Sequence, residues 1–301
     1  MNRRNFSKTL AGATLGAAAL SLDPLATADR PAGDQSTEEA PFKASVMLWT
    51  ILKDRPFEER LEKVAEAGYH AVELVGEYAN WTEDDFRRYN KKRTELGITF
   101  DTTAGLRHSV GDPKAREAFL ADVRAEMKIM EKIECRQLIV MSGNVVPGLS
   151  PEAQHASCVE GLKRAAELVE GKGATLLLEN IDLEENPHYY LWSVPEAFKI
   201  IEEVNHPQIK FLYDFFHAQI SGGNLIANFT RHADKVGLVH IADVPGRHQP
   251  GTGEINYSNI YKKFAEANYR HYVAMEFLPL GDPVKALARA RQEAFAAAQH
   301  V

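Results

Sequence analysis

From Phe42 onward, short runs of aliphatic and β-branched residues alternate with longer stretches in which apolar residues return every three or four positions. The short runs predict strands over 44–49, 71–75, 99–103, 137–141, 175–180, 210–215, 236–241 and 272–277. The longer stretches predict helices, with start signals at Pro56, Thr82-Glu-Asp-Asp, Asp112-Pro113, Ser150-Pro-Glu, Ser193-Val-Pro-Glu and Asn256, and a closing helix over 282–299. The sixth connection, around 224–232, carries the weakest pattern. Gly68, Gly97 and the 171–173 glycine pair follow helical stretches, where a left-handed residue ends a helix. Eight βα units in about 260 residues is the count of a (β/α)8 TIM barrel. The expected fold class is therefore α/β, a single-domain TIM barrel over 42–301. An open doubly wound sheet usually needs fewer strands, and no GxGxxG follows the first one.

The residues before the barrel read differently. Arg3-Arg4-Asn5-Phe6-Ser7-Lys8 precedes a small, weakly apolar run over 9–22, and Ala26-Thr27-Ala28 offers a small-residue cleavage site. This order of regions resembles a twin-arginine signal peptide over 1–28, so the expected location is periplasmic or otherwise extracytoplasmic. Residues 29–41, rich in acidic, Pro, Gly, Ser and Thr positions, read as a flexible linker. The apolar run is shorter than the roughly 20 residues of a spanning helix, and no later charge-free stretch reaches that length, so no stable membrane insertion is expected after maturation. A net charge of -7, with no Lys/Arg block outside the extreme N-terminus, argues against nucleic acid as a partner. The two cysteines, Cys135 and Cys158, have neither metal-ligand nor CxxC spacing and are expected to be ordinary core thiols.

In a barrel of this kind the active site forms where the strands end at their C-termini. The last four predicted strands read Leu-Leu-Leu-Glu179-Asn180, Phe-Leu-Tyr-Asp214, Leu-Val-His240 and Val-Ala-Met-Glu276. Each places an acid or a histidine after a buried apolar run, where an unpaired charge costs several kcal/mol. Three carboxylates and one imidazole in one pocket repel one another unless a cation is present. One divalent ion answers this, and hard oxygen donors with one nitrogen suit Mn2+, Mg2+ or Co2+, with Zn2+ also compatible. The bland alternative is that individual acids pair with Lys or Arg at strand ends. His217, three residues after Asp214, is placed to reach a substrate hydroxyl or the outer shell of the ion, or else to cap a helix. Arg247, in a glycine-rich loop, is placed to fork onto a substrate carboxylate, or else is solvated. Glu185 either orients Glu179, binds a hydroxyl, or belongs to an exposed acidic loop. Trp49, at the end of the first predicted strand, walls the pocket or simply packs. Glu73, inside the second strand, is left without a role.

Leu177-Leu178-Glu179-Asn180-Ile181, Tyr213-Asp214-Phe-Phe-His217, Ile241-Ala242-Asp243, Pro250-Gly-Thr-Gly-Glu-Ile-Asn-Tyr257 and Glu276-Phe277 together resemble the xylose-isomerase-like TIM-barrel superfamily, and within it the hydroxypyruvate isomerase family. The resemblance implies that Glu179, Asp214, His240 and Glu276 are metal ligands, that Glu179 and Glu276 double as the acid/base pair, and that His217 and Arg247 contact a small hydroxy-carbonyl or sugar substrate. His240 departs from it, standing where hydroxypyruvate isomerases carry glutamine and the sugar epimerases of the superfamily carry histidine. The stretch Phe100-Asp-Thr-Thr-Ala-Gly-Leu-Arg-His108 also lacks the histidine-asparagine pattern of the nearest relatives. The expected activity is metal-assisted isomerisation between a hydroxy-aldehyde and a hydroxy-ketone, with paired glutamates moving the proton. Its rivals are sugar 3-epimerisation, a lyase or hydrolase acting on keto-sugars outside the cytoplasm, and a non-catalytic sugar-binding barrel. A homo-oligomer remains open.

Overall fold

The computed structural model describes residues 41–299. The expected leader over 1–28 lies outside the described residues, as do all of the expected linker except Pro41 and the last two residues of the chain. Eight parallel strands close into a barrel in chain order, with the last paired to the first. They are β1 (Lys43–Met47), β2 (Ala71–Leu74), β3 (Thr99–Thr103), β4 (Gln137–Met141), β5 (Thr175–Glu179), β6 (Ile209–Asp214), β7 (Val236–Ile241) and β8 (Tyr272–Met275). The helices are α1 (Phe57–Glu66), α2 (Glu83–Glu95), α3 (Arg116–Ile133), α4 (Pro151–Val169), α5 (Val194–Val204), α6 (Phe215–Ser221), α7 (Leu225–His232), α8 (Tyr257–Glu266) and α9 (Pro283–Gln299). The chain is thus an α/β protein with a (β/α)8 barrel.

Local chemistry accounts for several boundaries. Thr82 caps α2 in a reciprocal box with Asp85, and Ser150 caps α4 ahead of a proline in its first turn. The third helix begins later than Asp112-Pro113 suggests, because residues 112–115 close a turn of their own through Ala115 N–H to the Asp112 carbonyl. The first strand ends at Met47, and 48–50 form a 3-10 turn that carries Trp49. The weak sixth connection is two short helices, α6 and α7, separated by Gly222, Gly223 and Asn224.

Side chains alternate along a strand, so a closed sheet has one set facing the helices and one facing inward. The outer set, including Leu176, Leu178, Phe211, Tyr213 and Val239, joins Leu162, Phe198, Phe229 and Phe264 of the helices in the main core. The inner set forms a separate cluster of Met47, Ile139, Leu177, Leu212, Leu238 and Ala274. Two residues beyond Leu177, Leu212, Leu238 and Ala274, on the same inward face, stand Glu179, Asp214, His240 and Glu276. The apolar plug is therefore the floor of the polar site. Cys135 and Cys158 are buried free thiols, and among the described residues no helix is long and apolar enough to cross a membrane.

Candidate metal centre

The four strand-end residues meet around the His240 ring. All four are buried, and each offers a ligand atom within 4.8 Å of the others. His240 Nδ1 lies 2.8 Å from Glu276 Oε2, 3.4 Å from Glu179 Oε1 and 3.9 Å from Asp214 Oδ2. Asp214 ends β6 and also caps α6, where its Oδ1 accepts the His217 N–H at 3.0 Å. That leaves Oδ2 for the pocket. Asn180 fixes the same corner, since its amide accepts the Asp214 N–H at 3.1 Å and donates to the Asp214 carbonyl at 3.2 Å.

Arg247 closes the site from the β7–α8 loop. Its guanidinium reaches Glu276 Oε1 at 2.7 Å with one arm and Glu185 Oε2 at 2.6 Å with the other. It lies over the rings of Trp49 and Phe216, at 5.2 and 5.0 Å from their centroids. Trp49 is more than a wall, because its indole N–H donates to Glu276 Oε1 at 2.8 Å. Glu185 does not orient Glu179; it is solvent-exposed at 185 and pairs with Arg247. His217 is buried, with Nδ1 bonded to Asp182 and Nε2 3.5 Å from Asp214 Oδ2. So seven of the eight predicted residues share direct contacts around Glu276, Asp214 and Arg247, and Glu179 joins them through His240.

Three contributors were not assigned roles from the sequence. Asp182 orients His217 and accepts the N–H groups of Glu184 and Glu185 at 2.7 and 2.9 Å. Asp243 accepts five loop N–H groups, from Val244, Gly251, Thr252, Gly253 and Ile255, at 2.8–3.1 Å, and thereby organises the loop bearing Arg247. Glu73, on β2, places Oε2 3.0 Å from His240 Nε2. The only sequence signal for Glu73 was a charge inside the four-residue strand Ala-Val-Glu-Leu.

Charge in this pocket is displaced strongly from ordinary behaviour. Burial pushes Asp214 up to about 6, against the pull of His217. Glu276 moves the other way: burial opposes its charge, but Arg247 and His240 hold it well below the usual carboxylate range. Burial also works against a charged His217, yet Asp214 and the bond to Asp182 raise it to about 9. His240 is raised well above its ordinary value, the carboxylates Glu73 and Glu276 outweighing burial.

Orphaned atoms decide whether the donor set suits an ion. Asp214 Oδ2, His240 Nδ1 and Glu276 Oε2 are buried without a well-formed hydrogen bond, Nδ1 and Oε2 meeting only in the 2.8 Å ion-pair contact, and their residues offer ligand atoms within 4.8 Å of one another. Buried polar atoms are rarely left unpaired, so three converging ones fit a cation as their common partner. A neighbouring group, Asp182, Glu185 and His217, offers the contrast. Asp182 is satisfied by His217 and two backbone N–H groups, and Glu185 by Arg247, so no comparable vacancy in bonding exists there. The set Glu179, Asp214, His240 and Glu276 fits a divalent ion.

Fold and site together define a barrel whose buried polar groups cluster at the C-terminal ends of its strands. A family model for the xylose isomerase-like TIM barrel matches residues 61–296. The hydroxypyruvate isomerase of Escherichia coli (strain K12) is 30% identical over 242 residues, covering 79% of this chain and 94% of that protein. The 2-oxo-tetronate isomerase of Pectobacterium atrosepticum is 28% identical over 248 residues, with 79% and 93% covered. Among solved structures, the AP endonuclease, family 2, from Brucella melitensis superposes with a TM-score of 0.76 at 27% identity, over 84% of this chain and 99% of that one. The chain belongs to the xylose isomerase-like TIM-barrel family, among its hydroxypyruvate isomerase-like members, and is an isomerase.

Proposed function

We propose that the chain interconverts a small hydroxy-aldehyde and the corresponding hydroxy-ketone, using one divalent ion that Glu179, Asp214, His240 and Glu276 would hold. The convergence of the orphaned Asp214 Oδ2, His240 Nδ1 and Glu276 Oε2 carries this reading. When bound, the ion supplies Lewis acidity towards the carbonyl and neighbouring hydroxyl oxygens of the substrate. Glu276 and Glu179 serve as the acid/base pair. One takes the proton from the hydroxyl-bearing carbon and it is returned to the neighbouring carbon, while the hydroxyl proton passes to the former carbonyl oxygen, so no outside oxidant or reductant is needed. Trp49 and Arg247 fix Glu276 through Oε1, which keeps the carboxylate aimed and ionised. His217, held by Asp182, presents Nε2 as a hydrogen-bond donor to a substrate oxygen. Arg247 stacks between two rings and recognises the carboxylate or terminal hydroxyls of the substrate.

His240 favours a second reading, return of the proton to the opposite face of the same carbon, which is epimerisation of a ketose. The same two glutamates suit either outcome. The net charge of -7 weighs against a nucleic-acid substrate, although the Brucella relative is named an endonuclease. Export through the twin-arginine-like leader is also proposed, which would place the activity outside the cytoplasm. Deuterium uptake from solvent separates the possibilities, with Mn2+-loaded protein offered hydroxypyruvate, tartronate semialdehyde, a 2-oxo-tetronate and a panel of ketoses. Label retained with aldehyde–ketone exchange is the expected result. Exchange in a ketose with inversion and no aldose selects the epimerase, and no exchange with any compound, together with cleavage of a 3-keto-glycoside, overturns both.

A further inference from the structure

Glu73 is fully buried on β2, which β1 and β8 separate from β7 around the barrel. Its Oε2 nevertheless reaches His240 Nε2 at 3.0 Å, while Nδ1 on the other edge of the same ring faces Glu276, Glu179 and Asp214. We infer that Glu73 is a positioning residue: it holds the single ring proton of His240 on Nε2 and so leaves the Nδ1 electron pair for the ion. The inference rests on the reading that the four strand-end residues hold a divalent metal.

A neutral imidazole carries one N–H, and the nitrogen that keeps it is set by the partner of that nitrogen. Without Glu73, the carboxylates facing the ring stand on the Nδ1 side, Glu276 Oε2 at 2.8 Å foremost among them. The proton would then point into the space that the four ligand atoms share. Glu73 supplies a competing acceptor on the far side, and once a cation occupies the near side the choice falls to Nε2. A structural role explains the residue poorly. Its other oxygen, Oε1, is buried with no hydrogen-bond partner, and burial pushes the carboxyl up, so only the contact with His240 offsets the cost of placing a carboxylate there.

Glu73→Leu and Glu73→Gln test this against the wild type. Mn2+ affinity is measured by titration calorimetry, and the urea midpoint is measured on the metal-free proteins. Glu73→Leu is expected to weaken Mn2+ binding by roughly 10–100-fold, whatever change the loss of the His240 contact makes to the metal-free midpoint. Glu73→Gln, whose amide oxygen still accepts from Nε2, should fall between the two. A merely structural residue would move the midpoint and leave the affinity alone. Unchanged affinity in Glu73→Leu overturns the inference and leaves the metal reading intact, whereas a wild type that takes up no ion overturns both. Should Glu73→Leu fail to fold, nitrogen NMR of the imidazole in the Zn2+-loaded wild type decides: a proton on Nε2 supports the assignment, and a proton on Nδ1 overturns it.

Discussion

At the scale of single residues, Glu276 is the group on which most of the site converges, with Trp49 and Arg247 on one oxygen and His240 facing the other. Glu276→Gln keeps the shape and removes the charge, so kcat is expected to fall by about 10²–10⁴-fold, the usual contribution of a positioned acid or base. The variant also deprives Arg247 and His240 of their anionic partner, so kcat is compared on protein that circular dichroism shows to be folded; a near-normal kcat would remove Glu276 from the acid/base pair. His217 gives a pH-dependent signature in the metal-free protein. A histidine raised from 6.5 to about 9 on folding stabilises the native state in full below pH 6.5 and loses that contribution as pH rises through about 9. The unfolding free energy of wild type should therefore exceed that of His217→Gln by at most about 3 kcal/mol near pH 6. The gap should close by about pH 10. An identical gap at both pH values would mean that His217 contributes packing rather than charge.

At the scale of elements, the loop from β7 to α8 presents Arg247 because Asp243 gathers its backbone. Asp243→Ala leaves five N–H groups without their acceptor, and a buried unsatisfied donor costs about 1–3 kcal/mol each before water relieves some of them. Gly253→Ala strikes the same loop differently, as a Cβ there would overlap the Val244 carbonyl. Both variants should show faster proteolysis between 244 and 256 and a raised KM as Arg247 loses its place. Protease resistance and KM both matching wild type would show that the loop is held by something else. The glycines of this loop were readable from the chain as turn-formers, but the convergence on Asp243 was not, because it joins N–H groups up to twelve residues away through tertiary geometry. The strands were legible for the opposite reason. Runs such as Leu176-Leu177-Leu178 are apolar on both faces, which only a covered parallel strand requires. Glu73 broke that pattern, and its partner lies 167 residues away, beyond the reach of any local spacing. Trp49 was likewise visible as a strand-end aromatic, whereas its bond to Glu276 depends on the closing pair of β1 and β8.

At the scale of the whole molecule, the barrel places unlike demands on its two ends. The inward plug of Met47, Ile139, Leu177, Leu212, Leu238 and Ala274 stabilises the closed sheet, while the next inward positions gather carboxylates that repel one another. In the metal-free chain, Arg247, His217 and His240 are the cations that offset them. If a divalent ion completes that balance, it binds the folded barrel and not the unfolded chain, because the ligands come from four strands spread over 179–276. Linkage then converts affinity into stability: at 100 times Kd the native state gains about 2.7 kcal/mol. For a domain of this size that corresponds to a rise in Tm of roughly 5–10 °C. Scanning calorimetry of the chelator-stripped protein, with Mn2+, Mg2+, Co2+ or Zn2+ added back, measures it directly, and Asp214→Asn should abolish most of the rise. A Tm indifferent to all four ions would mean that the protein's own three cations already neutralise the site, and the four-ligand centre would have to be given up while the barrel stood.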